Sequence, residues 1–141
     1  MKKLTLKLLL VFSLSNISLI SYSTEVLTNK SHDVSRKIIQ RADIVGSDEE
    51  LRMMLVEFPP AFNNIAHIHP VGGLCYVIRG TAESQYEGEE MKVFQAGDSY
   101  QDQANKKHLI FRNASDSDIL KFTCTAKIKK DLQFMLPLGS S

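Results

Sequence analysis

From Ile38 onward the apolar residues fall in short runs, broken by turn-forming residues every 8 to 12 positions. That spacing predicts an all-β sandwich or barrel, in which each run crosses the domain once and each break reverses the chain. Strands are expected near residues 36–44, 51–58, 64–69, 74–79, 81–86, 91–95, 99–102, 107–112 and 118–128. The breaks carry turn chemistry, among them Gly46-Ser47-Asp48, Pro59-Pro60, Pro70 to Gly73, Arg79-Gly80, Glu87-Gly88, Ala96-Gly97-Asp98 and the polar stretch from Asn113 to Ser117. No segment of this region sustains a helical period, and no internal repeat is visible. Eight or nine short antiparallel strands point to a single-domain jelly roll, which protects its sheet edges by folding one sheet over another. An immunoglobulin-like sandwich is the rival. It lacks support, because the chain has no Trp for Cys75 and Cys124 to frame.

The first residues follow another pattern. Lys2, Lys3 and Lys7 precede an apolar stretch from Leu8 to Ile20, and the small residues Ser21 and Ser23 follow it. This is the layout of a secretory signal peptide, with cleavage expected after Ser23. The apolar stretch is short and Ser-interrupted for a membrane span, which needs about 20 predominantly apolar residues. No Cys follows it to take a lipid anchor. The expected organisation is therefore a signal peptide over 1–23, a flexible arm over 24–35 and one folded domain over 36–138. The mature protein is expected in the periplasm or secreted, with no stable membrane association after cleavage.

Loss of the leader leaves 14 basic residues against 16 acidic ones. A mildly acidic domain without a basic stripe gives no reason to expect a nucleic-acid partner. Acids and bases alternate along the chain, as on a solvated surface.

The chemistry lies in the histidines. His32 stands in the polar arm and reads as surface. His67 and His69 are two apart at the end of an expected strand, so alternation places both rings on one face. His108 opens a later strand after a turn. In a small barrel it can face the pair and complete a three-nitrogen face for a divalent ion. Spacing alone fits three satisfied core or surface histidines equally well.

The punctuation around them resembles the cupin family. Its first motif is Gly, five residues, His-x-His, three or four residues, Glu, six residues, Gly; here Ala61, His67, His69, Gly73 and Gly80 stand in those places. Its second motif is Gly, five residues, Pro-x-Gly, two residues, His, three residues, Asn; here Gly97, Gln103, Asn105, His108 and, one position late, Asn113 correspond. The similarity runs from about Ile38 to Leu138. It is strongest to small, often exported single-domain cupins whose second motif ends in a stretch like Arg112 to Ser115. Gly73 replaces the family's Glu ligand and can bind nothing, so the resemblance implies a metal site of His67, His69 and His108 without that Glu. Asn105 replaces a Gly but tolerates the left-handed region.

The resemblance implies a cupin double-stranded β-helix, a divalent metal (Fe, Mn, Ni, Cu or Zn, all of which accept imidazole) and a small-molecule ligand or substrate. It also implies a homodimer, since cupins often pair through sheet edges. Asp102 sits where the resembled group is usually acidic, and Tyr100 shares its face by alternation. These two are the candidate catalytic residues. Asp102 can serve as a fourth ligand, an orienting partner of an imidazole or a general base, or it can simply cap its own turn. Gln85 is a lesser candidate for a polar contact in the pocket. Family topology sets the strands of Cys75 and Cys124 side by side. Two inert buried thiols are the expectation, with a disulfide or a thiol reaching the metal as alternatives. Three readings follow: a dioxygenase-like metal enzyme on a small polar or phenolic molecule, a non-catalytic module binding a small ligand or metal, and a structural subunit. The intact histidine trio disfavours the third.

Overall fold

Ten strands and no helix make up residues 33–139, the part described by the computed structural model. The expected signal peptide, the arm up to residue 32 and His32 lie outside the described residues. In chain order the strands are β1 (Ser35–Asp43), β2 (Glu49–Phe58), β3 (His67–Ile68), β4 (Gly73–Arg79), β5 (Thr81–Tyr86), β6 (Lys92–Gln95), β7 (Ser99–Asp102), β8 (His108–Asn113), β9 (Leu120–Lys129) and β10 (Leu136–Pro137). They form two five-stranded antiparallel sheets, ordered β1-β2-β9-β4-β7 and β10-β3-β8-β5-β6. This is the double-stranded jelly roll expected from the sequence.

Two boundaries differ from expectation. The strand predicted over 64–69 pairs as a strand only at His67–Ile68. Before it, Asn64 N–H bonds to Phe111 O at 2.9 Å and Asn63 makes an isolated bridge to Arg112, so single contacts replace a continuous ladder. The two-residue β10, half of it proline, carried no periodic signal, yet it pairs with β3 and closes the second sheet's edge.

Alternation decides what faces the core. On β9, Leu120, Phe122, Cys124, Ala126 and Ile128 are buried while their neighbours are not. Phe58, 1% exposed, packs edge-on against Phe62, Phe111 and Phe122 and ties the two sheets together. Both turn positions where the family's glycine is replaced adopt left-handed backbone, with φ 54° at Asn105 and 57° at Ala61. Asn carries that conformation easily, whereas at Ala it costs about 1–2 kcal/mol. Gly80 needs its own lack of a side chain, because a Cβ there would lie 2.6 Å from Ile119 O.

The expectation of two free thiols is corrected. Cys75 and Cys124 are direct partners across β4 and β9, with Cα atoms 4.1 Å apart, and they form a disulfide. Inward orientation was readable from alternation, but register was not, and register is what sets the two sulfurs within bonding distance. No free cysteine remains among the described residues.

One end of the first sheet is polar inside. Glu50, 2% exposed, accepts from Arg52 Nε at 2.6 Å and from Arg41 Nη1 at 3.0 Å. Arg52 also donates to the carbonyls of Lys129, Lys130 and Leu132, pinning the turn that follows β9. That turn leads to Phe134, whose carbonyl belongs to the site described next.

Candidate metal centre

Three short segments deliver the polar side chains to one end of the barrel. His67 on β3 is the direct cross-strand partner of His108 on β8. His69 follows two residues on, held by a bridge to Ala104. Asp102 ends β7 directly opposite Gly73 of β4. His67, His69, Asp102 and His108 are all buried. The structure thus brings the predicted trio together, each histidine offering a nitrogen within 4.8 Å of the others.

The hydrogen bonds fix how two of the rings are used. His67 Nδ1 lies 2.7 Å from Ile65 O and His69 Nδ1 lies 2.9 Å from Phe134 O. A carbonyl only accepts, so in both rings the proton belongs on Nδ1 and Nε2 carries a bare lone pair. Those two Nε2 atoms are 3.1 Å apart. Two lone pairs at that distance repel unless a cation stands between them. His108 adds a third ring, with Nε2 at 2.8 Å from Ser84 Oγ and Nδ1 the one buried side-chain polar atom among the described residues without a partner. A buried nitrogen left unpaired costs free energy. Backbone carbonyls orienting imidazoles toward a common point are the usual second layer of a metal site. The donor set therefore fits a divalent transition metal.

Charge agrees with geometry. Burial lowers the pKa of all three histidines, and for His108 the other two rings add to it, taking it down to about 3. At neutral pH the trio is uncharged, which is the ligating form.

Gly73 shows why the family's Glu is absent. A Cβ at that position would lie 3.0 Å from the Phe134 ring, which occupies the space a longer side chain needs. The nearby carboxylate comes instead from the neighbouring strand. Asp102 Oδ1 is 3.6 Å from His69 Nε2 and accepts from Tyr86 O–H at 3.2 Å, so the residue does not cap its own turn. Oδ2 lies 3.3 Å from Cys75 Sγ, a contact with a disulfide sulfur that has no proton to donate. Burial raises the Asp102 pKa to about 6.

Tyr100 lines the same cavity, but its hydroxyl is 3.8 Å from Cys124 Sγ and burial holds its pKa well above the usual phenol value. Gln85 is corrected: its amide bonds Glu89 O at 3.1 Å on the outer face of β5. The inward residues of that strand are its neighbours Ser84 and Tyr86, the latter stacked on His108 at 4.0 Å between ring centroids. Neither was singled out from the sequence, nor was Phe134. The inward face of β5 was not legible from alternation alone, and the carbonyl of Phe134 was not either, because nothing in a loop sequence shows where a backbone oxygen points.

Beside the histidines lies a small cavity of about 50 Å³, walled largely by Phe, Met and Val side chains.

Comparison with known proteins agrees with this architecture. A family model described as a cupin domain matches residues 54–125. Curated proteins give no match. Among solved structures, a cupin-like protein from Thermotoga maritima is 24% identical, with 75% of this chain and 76% of that one covered and a TM-score of 0.59. The polyketide cyclase RemF from Streptomyces resistomycificus is 14% identical over 77% of this chain and 72% of its own, TM-score 0.57. The DMSP lyase DddQ from Ruegeria pomeroyi is 18% identical over 65% of this chain, TM-score 0.55, and the match spans only 44% of that lyase. At these identities the likeness is one of fold.

Proposed function

The chain belongs to the cupin family, and from that premise we propose that it is an exported metal-dependent enzyme acting on a small molecule held in the cavity beside His67, His69 and His108. The observation that carries the reading is the pair of deprotonated Nε2 atoms 3.1 Å apart, each fixed by a backbone carbonyl behind it. Such an arrangement is unfavourable in a protein without a cation to share. When bound, a divalent metal on three neutral imidazoles supplies Lewis acidity and, if redox-active, the dioxygenase-like chemistry open to such sites.

The chain's own residues do the rest. Asp102 is a buried carboxylate with its pKa near 6, beside the histidines, and is suited to take or give a proton near neutral pH. Tyr86 O–H holds its Oδ1, and the Tyr86 oxygen is itself fixed by Gln103 N–H at 3.1 Å. The phenylalanine walls keep water from the reacting groups.

Asp102→Asn retains the side-chain volume and an acceptor for Tyr86, and removes the charge. It is expected to lower metal affinity about tenfold, as loss of an outer partner does, while one metal per chain still binds at saturation. Complete loss of metal in a calorimetric titration would contradict the acid/base role and make Asp102 a ligand.

Export and pairing complete the proposal. The leader pattern supports export, as does the disulfide, a bond that persists in oxidising compartments. Leu51, Met53, Leu74, Tyr76 and Ile78 leave an apolar patch on the outer face of the first sheet, which supports a homodimer through that face. The mature protein is expected to begin at Thr24 by N-terminal sequencing and to scatter light as a dimer. Leu74→Lys should return it to a monomer; a wild-type monomer would exclude the pairing.

A further inference from the structure

The chain has five arginines. Arg41 and Arg52 pair with Glu50, Arg79 with Asp118 and Arg112 with Glu83. Arg36 is the exception: among the described residues no carboxylate lies within ion-pair distance of it. Although Arg36 is exposed, part of its side chain rests against the protein. Its guanidinium carbon sits 5.6 Å from the Phe58 ring centroid, and Nη2 donates to Asn64 Oδ1 at 3.1 Å. Both Arg36 and Asn64 line the cavity that holds the histidines.

We propose that this cavity selects small organic carboxylates with an apolar body, and that Arg36 is the residue that binds their charged end. The inference rests on the cavity being the substrate site of the proposed enzyme, and it adds the class of molecule that enters.

Three properties of the site support it. First, a guanidinium presents its N–H groups in a planar fork that matches a carboxylate, and Asn64 accounts for one of them. Its place over the Phe58 ring and its bond to Asn64 anchor the guanidinium beside the cavity. Second, the walls contributed by Phe58, Phe111, Phe122 and Phe134 offer flat apolar surface and few hydrogen-bond partners, so a sugar-like body would leave its hydroxyls unpaired. Third, the charges favour an anion. The histidines are neutral, and the cavity's one carboxylate, Asp102, is occupied by Tyr86 and lies beyond ion-pair range of Arg36. Among the described residues Arg36 therefore carries a positive charge without a carboxylate partner at the edge of an apolar chamber, where its fork can meet a ligand of opposite charge.

The test uses benzoate, its neutral analogue benzamide, and acetate as a headgroup without a body, titrated calorimetrically into the mature protein in metal-free and zinc-loaded forms. Benzoate is expected to bind more tightly than either of the others in both forms. Arg36→Met should weaken benzoate about tenfold or more, the effect of losing a charge-assisted hydrogen bond, and abolish the preference over benzamide. Arg36→Lys, which keeps the charge but loses the fork, should recover part of it. Metal content should be the same in all three proteins. Equal binding of benzoate and benzamide, an unchanged preference in Arg36→Met, or no saturable benzoate binding would overturn the proposal. A wild-type protein that takes no metal yet discriminates benzoate through Arg36 would overturn the metal enzyme and leave this inference standing; full metal content without discrimination would do the reverse.

Discussion

His108→Leu is expected to cost the protein its metal while leaving the metal-free fold as stable as before. Leucine fills a similar volume between Tyr86 and Phe111, whose ring centroids lie 4.0 and 5.2 Å from that of the imidazole. It removes the buried orphan Nδ1, which offsets the loss of the Ser84 hydrogen bond. Metal-free stability should therefore change by less than about 1 kcal/mol in urea unfolding. Metal affinity should fall by more than the roughly hundredfold that an outer partner can cost, because a direct ligand is gone. The contrast is clearest with metal present. At a hundredfold excess over its dissociation constant, metal should stabilise the wild type by about 2.7 kcal/mol and the variant not at all. A variant stabilised equally by metal would remove His108 from the centre.

The second large effect concerns the disulfide. Its two cysteines are 49 residues apart in sequence. Closing a loop of that length removes denatured-state entropy worth about 4 kcal/mol, a large share of the stability of a domain this size. Reduction, or the pair Cys75→Ala and Cys124→Ala, is expected to lower unfolding stability by about that amount, read as a shift in the urea midpoint. Denatured protein should release no thiol to a thiol reagent until a reductant is added, and then two. Two thiols without reductant would show the bond to be absent. The bond also backs the site, since Asp102 Oδ2 lies 3.3 Å from Cys75 Sγ.

What the sequence made legible was whatever depends on local period and spacing. Runs of apolar residues between turn formers gave nearly every strand, and His-x-His at the end of a run placed two rings on one face. What it hid depends on partners far along the chain. β2 shows this: its first half reads apolar at Leu51 and Met53, yet these are exposed and Glu50 and Arg52 are buried. The register is set further along, where Val56 and Phe58 face the core and Phe122 and Leu120 pair with them. A strand has a fixed period of two, so the charged pair is carried inside with them, and it is tolerated because Glu50 and Arg52 satisfy each other and the turn after β9. The same dependence on register concealed the disulfide. In the site, the three converging histidines were legible, and the groups that aim them were not. Ile65 and Phe134 act through backbone oxygens, and Ser84 and Tyr86 act from a strand whose inward face the sequence left open.

Those aimed nitrogens are also the most direct point of test. Elemental analysis by mass spectrometry of the wild-type protein, isolated from its native source, should find one transition metal per chain. X-ray absorption at that metal's edge should show a first shell of imidazole nitrogens. A protein that arrives without metal and takes up none on titration, or a metal shell built on sulfur or carboxylate oxygen alone, would contradict the account.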